Sequence, residues 1–279
     1  MVGITVSVLL IHTPSMPTPL ILVCDDAGFA SVDRGIRVLT QETGRPVSAE
    51  YMIEQDGAAE RAQRMEGVSN VLRGLHFEWS GITDEARFRL AKELQRRGTS
   101  LGEQPDIRRR AVEDARRQLA LFRTMLRTEP AHISTHGNFN ADAHGNVMPW
   151  WKDLMDELFD GDVPPMQLDL PYVRHNLYSW NVPGTARPPR TPVEFSHELE
   201  KFRDRDAVEF VMHPALPQHG DASIDMLFTA EMRERDLLSA IRIIRSGVIE
   251  RAGFAIVPVS SLADGDHLSR EREQFAVAS

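Results

Sequence analysis

Short β-rich runs alternate with longer stretches of helical spacing along most of this chain, and that alternation restricts its fold more than any other feature. The β-rich runs are 19–25 (PLILVCD), 47–53 (VSAEYMI), 69–77 (SNVLRGLHF), 131–136 (AHISTH), 166–173 (MQLDLPYV), 207–213 (AVEFVMH) and 253–259 (GFAIVPV). Helices are predicted near 32–41, 57–66, 84–98, 107–127, 149–159, 192–204 and 225–246. Strands separated by helices pair in parallel through crossover connections. Seven or so such units predict an α/β fold, a (β/α) barrel of TIM-like type, regular or irregular, rather than an open sheet.

Several boundaries have local chemistry behind them. Thr191-Pro192-Val193-Glu194 reads as a capping box with proline at the first helical position. Gly247 follows IRIIRS and suits the left-handed conformation that stops a helix. Within 111–126, Ala111, Ala115, Leu119, Leu121, Phe122 and Leu126 form one apolar stripe with arginines opposite. The length of 279 residues suits a single domain over 16–263. Residues 1–15 read as an N-terminal extension and 264–279 as a polar tail. The short apolar run at the start lacks a basic leader and a cleavage site, and it is too short to span a bilayer.

The formal net charge of −9 argues against nucleic acid or an anionic membrane as the main partner. A small neutral or cationic ligand fits better. The single cysteine, Cys24, sits inside an apolar run and reads as a small buried hydrophobe. With no disulfide available, the chain reads as cytoplasmic. A homo-oligomer is left open.

In a parallel barrel every strand ends on the same face, and catalytic groups collect there. The first run ends in Asp25-Asp26 and the third in Gly74-Leu75-His76. The fourth ends in His132-Ile133-Ser134-Thr135-His136-Gly137-Asn138 and the sixth in Met212-His213-Pro214. Carboxylates and imidazoles from distant segments would converge, and such a set suits a divalent cation, zinc or magnesium. Adjacent like charges repel unless neutralised. One aspartate as ligand and the other as general base gives the pair a division of labour. A helix N-cap is the competing explanation for Asp25-Asp26. His132 and His136, four apart on a strand, would face the same side. His12, His144, His175, His197, His219 and His267 read as ordinary histidines. Arg174, after the fifth run, reads equally well as a substrate contact or a surface ion pair. Trp79, Trp150, Trp151 and Trp180 follow strand ends, where sugar stacking competes with core packing.

The ordered set Asp25-Asp26-Ala27-Gly28, Gly74-Leu75-His76, AHISTHGNF and Met212-His213-Pro214 resembles the YdjC-like carbohydrate deacetylases, from about residue 19 to 260. That resemblance implies a barrel-like α/β fold that removes acetyl groups from N-acetylated sugars. It implies metal ligation by Asp26, His76 and His136, with Asp25 as the base that activates water. His213 would donate a proton or stabilise charge on the leaving side. The chain departs from the family pattern at four positions. An acid is missing at Ser134, Asn138 and Asn140 replace histidines, and Ala27 replaces a phenylalanine. Asn138 joins Arg174 and Trp79 as substrate-side candidates. Two other readings stand beside the deacetylase: a non-catalytic sugar-binding relative, and a metal-dependent amidohydrolase acting on a non-sugar amide.

Overall fold

The computed structural model describes residues 16–80, 84–137, 139–144, 146–167, 172–174, 191–219, 221 and 230–263. The strands are β1 (Thr18–Ala27), β2 (Val47–Tyr51), β3 (Val71–Phe77), β4 (Ile133–Thr135), β5 (Tyr172–Arg174), β6 (Val208–Met212) and β7 (Phe254–Ile256). The main helices are α1 (Ala30–Thr43), α2 (Ala58–Met65), α3 (Asp84–Arg96), α4 (Pro105–Leu126), α5 (Pro149–Leu158), α6 (Pro192–Leu199) and α7 (Ala230–Arg245). Two four-residue helices, α8 (Val248–Arg251) and α9 (Ser260–Ala263), flank β7.

All named strand pairs are parallel. The sheet runs β4-β3-β2-β1-β6-β5, with β7 attached to β1 off this path. Six strands, rather than seven in a closed ring, therefore make the continuous sheet, an α/β half-barrel. Two features account for the difference. Leu20 pairs with both Val208 and Ile256, while Val23 pairs with both Ser48 and Val211. β7 thus shares one edge of β1 with β2, below it, and does not extend the sheet. The run expected at 166–173 is also divided. Met166 bridges Ile133 at the β4 edge, whereas Tyr172–Arg174 pairs with β6 at the other edge. That run contains Pro171, which has no amide to give to a ladder.

Strand alternation sorts the side chains into two cores. Leu20, Leu22, Cys24, Phe210, Met212, Leu75 and Phe77 face the helices and join the main cluster. Ile21, Val23, Val211 and Val259 form a small cluster of their own on the concave side. Polar residues also occupy concave positions in the middle of strands: Ser48 and Glu50 on β2, Ser134 on β4 and Glu209 on β6 are all buried. Cys24 is a free, buried thiol, and burial pushes its pKa up.

The local expectations are met where the residues are described. Thr191 and Glu194 form a reciprocal capping box with Pro192 in the first turn, and Gly247 adopts φ 67°. Along α4 the apolar stripe is buried at Ile107, Ala111, Ala115, Leu119, Phe122 and Leu126, while Leu121 is half-buried. Phe122 is fully enclosed. Phe122→Ala is expected to cost about 3–5 kcal/mol, as cavity-forming aromatic truncations do. Urea unfolding with an unchanged m-value would register it.

Candidate metal centre

The concave face ends in a cluster at the C-terminal ends of β1, β3 and β4. His76 Nε2 lies 3.2 Å from His136 Nδ1 and 3.4 Å from Asp26 Oδ1, and His136 Nδ1 lies 3.1 Å from Asp26 Oδ1. Three potential ligand atoms thus form a nearly equilateral triangle. Asp26 and His76 are buried, and His136 is half-buried. Tetrahedral bonds of about 2.0–2.1 Å would place neighbouring donors about 3.3 Å apart. The observed triangle has that size, and two imidazoles with one carboxylate are the donor set of a zinc-like cation. The residues present therefore fit the metal that the sequence led us to expect.

Backbone geometry explains how two consecutive aspartates reach one place. In a regular strand, neighbours point to opposite faces. Here the β1–β2 register slips between Cys24 and Ala27, and Asp26 takes φ 61°. That left-handed turn returns the Asp26 carboxylate to the side already occupied by Asp25. Such a backbone costs about 1–3 kcal/mol for most residues, and aspartate tolerates it better than most. Gly28 follows at φ 104°, where an added Cβ would meet Ala58 at 3.1 Å and the Met52 carbonyl at 3.3 Å. Its amide donates to Asp33 Oδ1, and Arg61 binds its carbonyl, so the turn is held from both sides.

Asp25 stands beside the triangle. Its Oδ1 is 3.9 Å from His76 Nδ1, and its Oδ2 is 3.7 Å from His213 Nε2. Oδ1 is buried and accepts no hydrogen bond among the described residues. The His213 amide donates to Asp236 Oδ2 at 2.6 Å, which anchors the loop after β6. Burial lowers the His213 pKa below the ordinary imidazole range, against the pull of Asp26 and Asp25.

Arg233 is the main residue that sequence reasoning missed. It is fully buried on α7 and donates to Asp26 Oδ2 at 2.8 Å. Burial alone would raise the Asp26 pKa. Arg233, together with the neighbouring imidazoles of His136 and His76, outweighs burial and holds it well below the usual carboxylate range. Nothing in AEMRERDLLSAI distinguishes Arg233 from its solvated neighbours. Glu78, just past β3, was also missed. Gln55 donates to both of its oxygens, and burial raises its pKa.

The other candidates are distributed less simply. His132 is fully buried but lies deeper, between Glu50 and Glu209, and does not belong to the triangle. Trp79 is 6% exposed and packs in the main core, so it offers no open stacking face. Trp150 and Trp151 are also buried and pack edge to face. Arg174 ends β5, but its side chain lies outside the description, as do Asn138, His175 and Trp180. Asn140 is buried and accepts from Thr135, a structural role. Among the described residues, no helix is long and apolar enough to cross a membrane.

No family model matches this chain, and no curated protein does. Solved structures match in fold. A protein of Enterococcus faecalis, named for cellobiose-phosphate cleavage, aligns at TM-score 0.59 and 14% identity, over 88% of this chain and 99% of its own. The peptidoglycan deacetylase of Bacillus subtilis aligns at 0.51 and 15% identity, over 95% and 99%. The chitin deacetylase of the fungal pathogen Colletotrichum lindemuthianum aligns at 0.51 and 14% identity, over 88% of each chain. At these identities the likeness establishes the fold alone.

Proposed function

We propose that this protein is a metal-dependent hydrolase that removes the acetyl group from an N-acetylated carbohydrate. The observation that carries the reading is the triangle of Asp26, His76 and His136, 3.1–3.4 Å on a side, with the Asp25 carboxylate beside it. The motif order that resembles YdjC-like deacetylases supports it. So does the fold shared with proteins named as peptidoglycan and chitin deacetylases.

Asp26, His76 and His136 would hold the cation, zinc in preference to magnesium, because imidazole suits zinc and magnesium prefers oxygen. When bound, the cation would supply Lewis acidity toward an amide carbonyl and toward water. The remaining work falls to the chain. Arg233 keeps Asp26 ionised. Asp25 accepts the proton of the attacking water. His213 rests neutral near pH 7, because burial lowers its pKa, so it brings no proton of its own. The proton count then closes on one proton. Asp25 takes it from water and returns it to the amide nitrogen as the C–N bond breaks, with His213 Nε2 placed 3.7 Å away to carry it. Free amine and acetic acid result, and they exchange the last proton in solution.

Arg233→Gln is expected to shift the pH dependence in a defined direction. The folded pKa of Asp26 lies below its unfolded value of about 3.9. Its contribution to stability is therefore complete above that pH and is lost as pH falls through the lower folded value. Without Arg233 the folded pKa rises, so zinc binding and stability fail at a higher pH on acid titration. Removing one partner of a buried pair should also cost about 3–5 kcal/mol.

The direct test is acetate release from a panel of N-acetylated sugars and simple N-acetyl amides, by protein stripped of metal and then reconstituted with zinc. Zinc-dependent release from sugars alone supports the proposal. Release that ignores the sugar ring points to a general amidohydrolase, and sugar binding without release points to a binding protein.

A further inference from the structure

A chain of buried polar groups runs beneath His76, and the proposed reaction does not use it. His76 Nδ1 is 2.5 Å from Ser134 Oγ. Ser134 Oγ is 3.5 Å from Glu50 Oε2. Glu50 Oε1 accepts from Ser48 at 2.6 Å and lies 3.0 Å from His132 Nδ1. His132 Nε2 lies 2.8 Å from Glu209 Oε1. Glu50, His132 and Glu209 are fully buried, and Ser134 is 1% exposed.

A carboxylate, an imidazole and a second carboxylate inside a sheet are costly, and the fold makes a specific concession to hold them. Gly74 sits opposite Glu50 in the β2–β3 register. A Cβ at Gly74 would lie 2.2 Å from Glu50 Oε1 and 2.3 Å from Oε2. The glycine two residues before His76 is thus the notch that admits the Glu50 carboxylate. Ser134 also occupies the position where the deacetylase pattern has an acid. In space an acid is present there after all, supplied by β2 and reached through the serine hydroxyl.

The donor and acceptor inventory fixes the direction of the chain. Burial opposes ionisation of Glu50, but His132 and Ser48 overcome it and lower its pKa. An ionised Glu50 can only accept, so Ser134 donates to Glu50. Ser134 Oγ then accepts from His76, whose Nδ1 carries the proton. The other ring nitrogen, Nε2, keeps its lone pair and faces Asp26 and His136. Asp25 Oδ1, 3.9 Å from the same Nδ1, favours the same tautomer.

We propose that Glu50, braced by His132 and Glu209, acts through Ser134 as a positioning relay that holds His76 in its Nδ1–H tautomer with Nε2 aimed at the Asp26–His136 centre. This rests on the metal-binding reading above, and the test separates the two. Nitrogen-15 histidine spectra of the metal-free protein report the His76 tautomer without reference to activity. Wild type is expected to show a protonated Nδ1 and an unprotonated Nε2. Ser134→Ala and Glu50→Gln are expected to lose that preference and to weaken zinc about 10–100-fold, the range for groups that orient metal-bound histidines. Ser134→Asp in the Glu50→Gln background is expected to restore both, which general loosening of the fold would not allow. A wild-type His76 protonated at Nε2 would overturn the relay. So would Ser134→Ala with wild-type tautomer and zinc affinity. If wild type binds no zinc yet shows the expected tautomer that Ser134→Ala abolishes, the relay stands and the metal reading fails.

Discussion

Asp25→Asn is expected to reduce zinc-dependent acetate release by about 10²–10⁴-fold, the contribution of one general base, while zinc affinity stays within a few-fold of wild type. Asp25 and Asp26 are neighbours of the same type, so the prediction depends on their different surroundings. Asp26 is committed: one oxygen accepts from Arg233, and the other completes the triangle with His76 and His136. Asp25 has a buried oxygen without a hydrogen-bond partner among the described residues, and its other oxygen lies 3.7 Å from His213. Asparagine keeps the size and leaves those contacts in place, but it cannot take a proton from water. Metal content and turnover should therefore separate in this variant. Retained turnover would show that another group accepts the proton. Loss of zinc together with turnover would show that Asp25 is a ligand.

How much of this centre could be read in advance depended on what each residue signals locally. An acid or histidine that stops an apolar run is conspicuous, so Asp25, Asp26, His76, His136 and His213 could all be picked out. Parallel topology then dictates that they share one face. Their closeness still needed coordinates, because the turn at Asp26 depends on a register slip that no residue type announces. Glu50 and Glu209 were visible as acids inside VSAEYM and AVEFVM. Their partner is His132, from another strand, and only the assembled sheet brings the three together. Arg233 was out of reach for a different reason: a helix rich in arginine and glutamate hides one buried arginine among solvated ones. The seven runs were legible, but ring closure was not. Which edge of β1 receives β7, and where the run 166–173 changes partners, are set by long-range packing rather than by alternation.

The ligand assignment faces its strongest test in His136→Ala, which is expected to weaken zinc by well over 100-fold, beyond the 10–100-fold expected of a supporting residue such as Ser134. His136 is the most informative of the three proposed ligands to remove. Asp26 also neutralises buried Arg233, so its loss would leave a buried cation and confuse metal loss with unfolding. His76 is 3% exposed at its side chain and caps the buried relay, so truncating it would open the interior. The His136 side chain is 14% exposed at the mouth of the sheet, where water can fill the space it leaves. The variant should therefore keep a near-native urea midpoint in the metal-free state and lose the zinc-dependent rise in that midpoint. A bound ligand stabilises a fold by RT ln(1 + [L]/Kd), so a 100-fold weaker site at saturating zinc gives up about 2.7 kcal/mol of that rise. An unchanged zinc-dependent midpoint in His136→Ala would remove His136 from the ligand set. The proposed hydrolase would then have only two protein ligands, too few for the centre described.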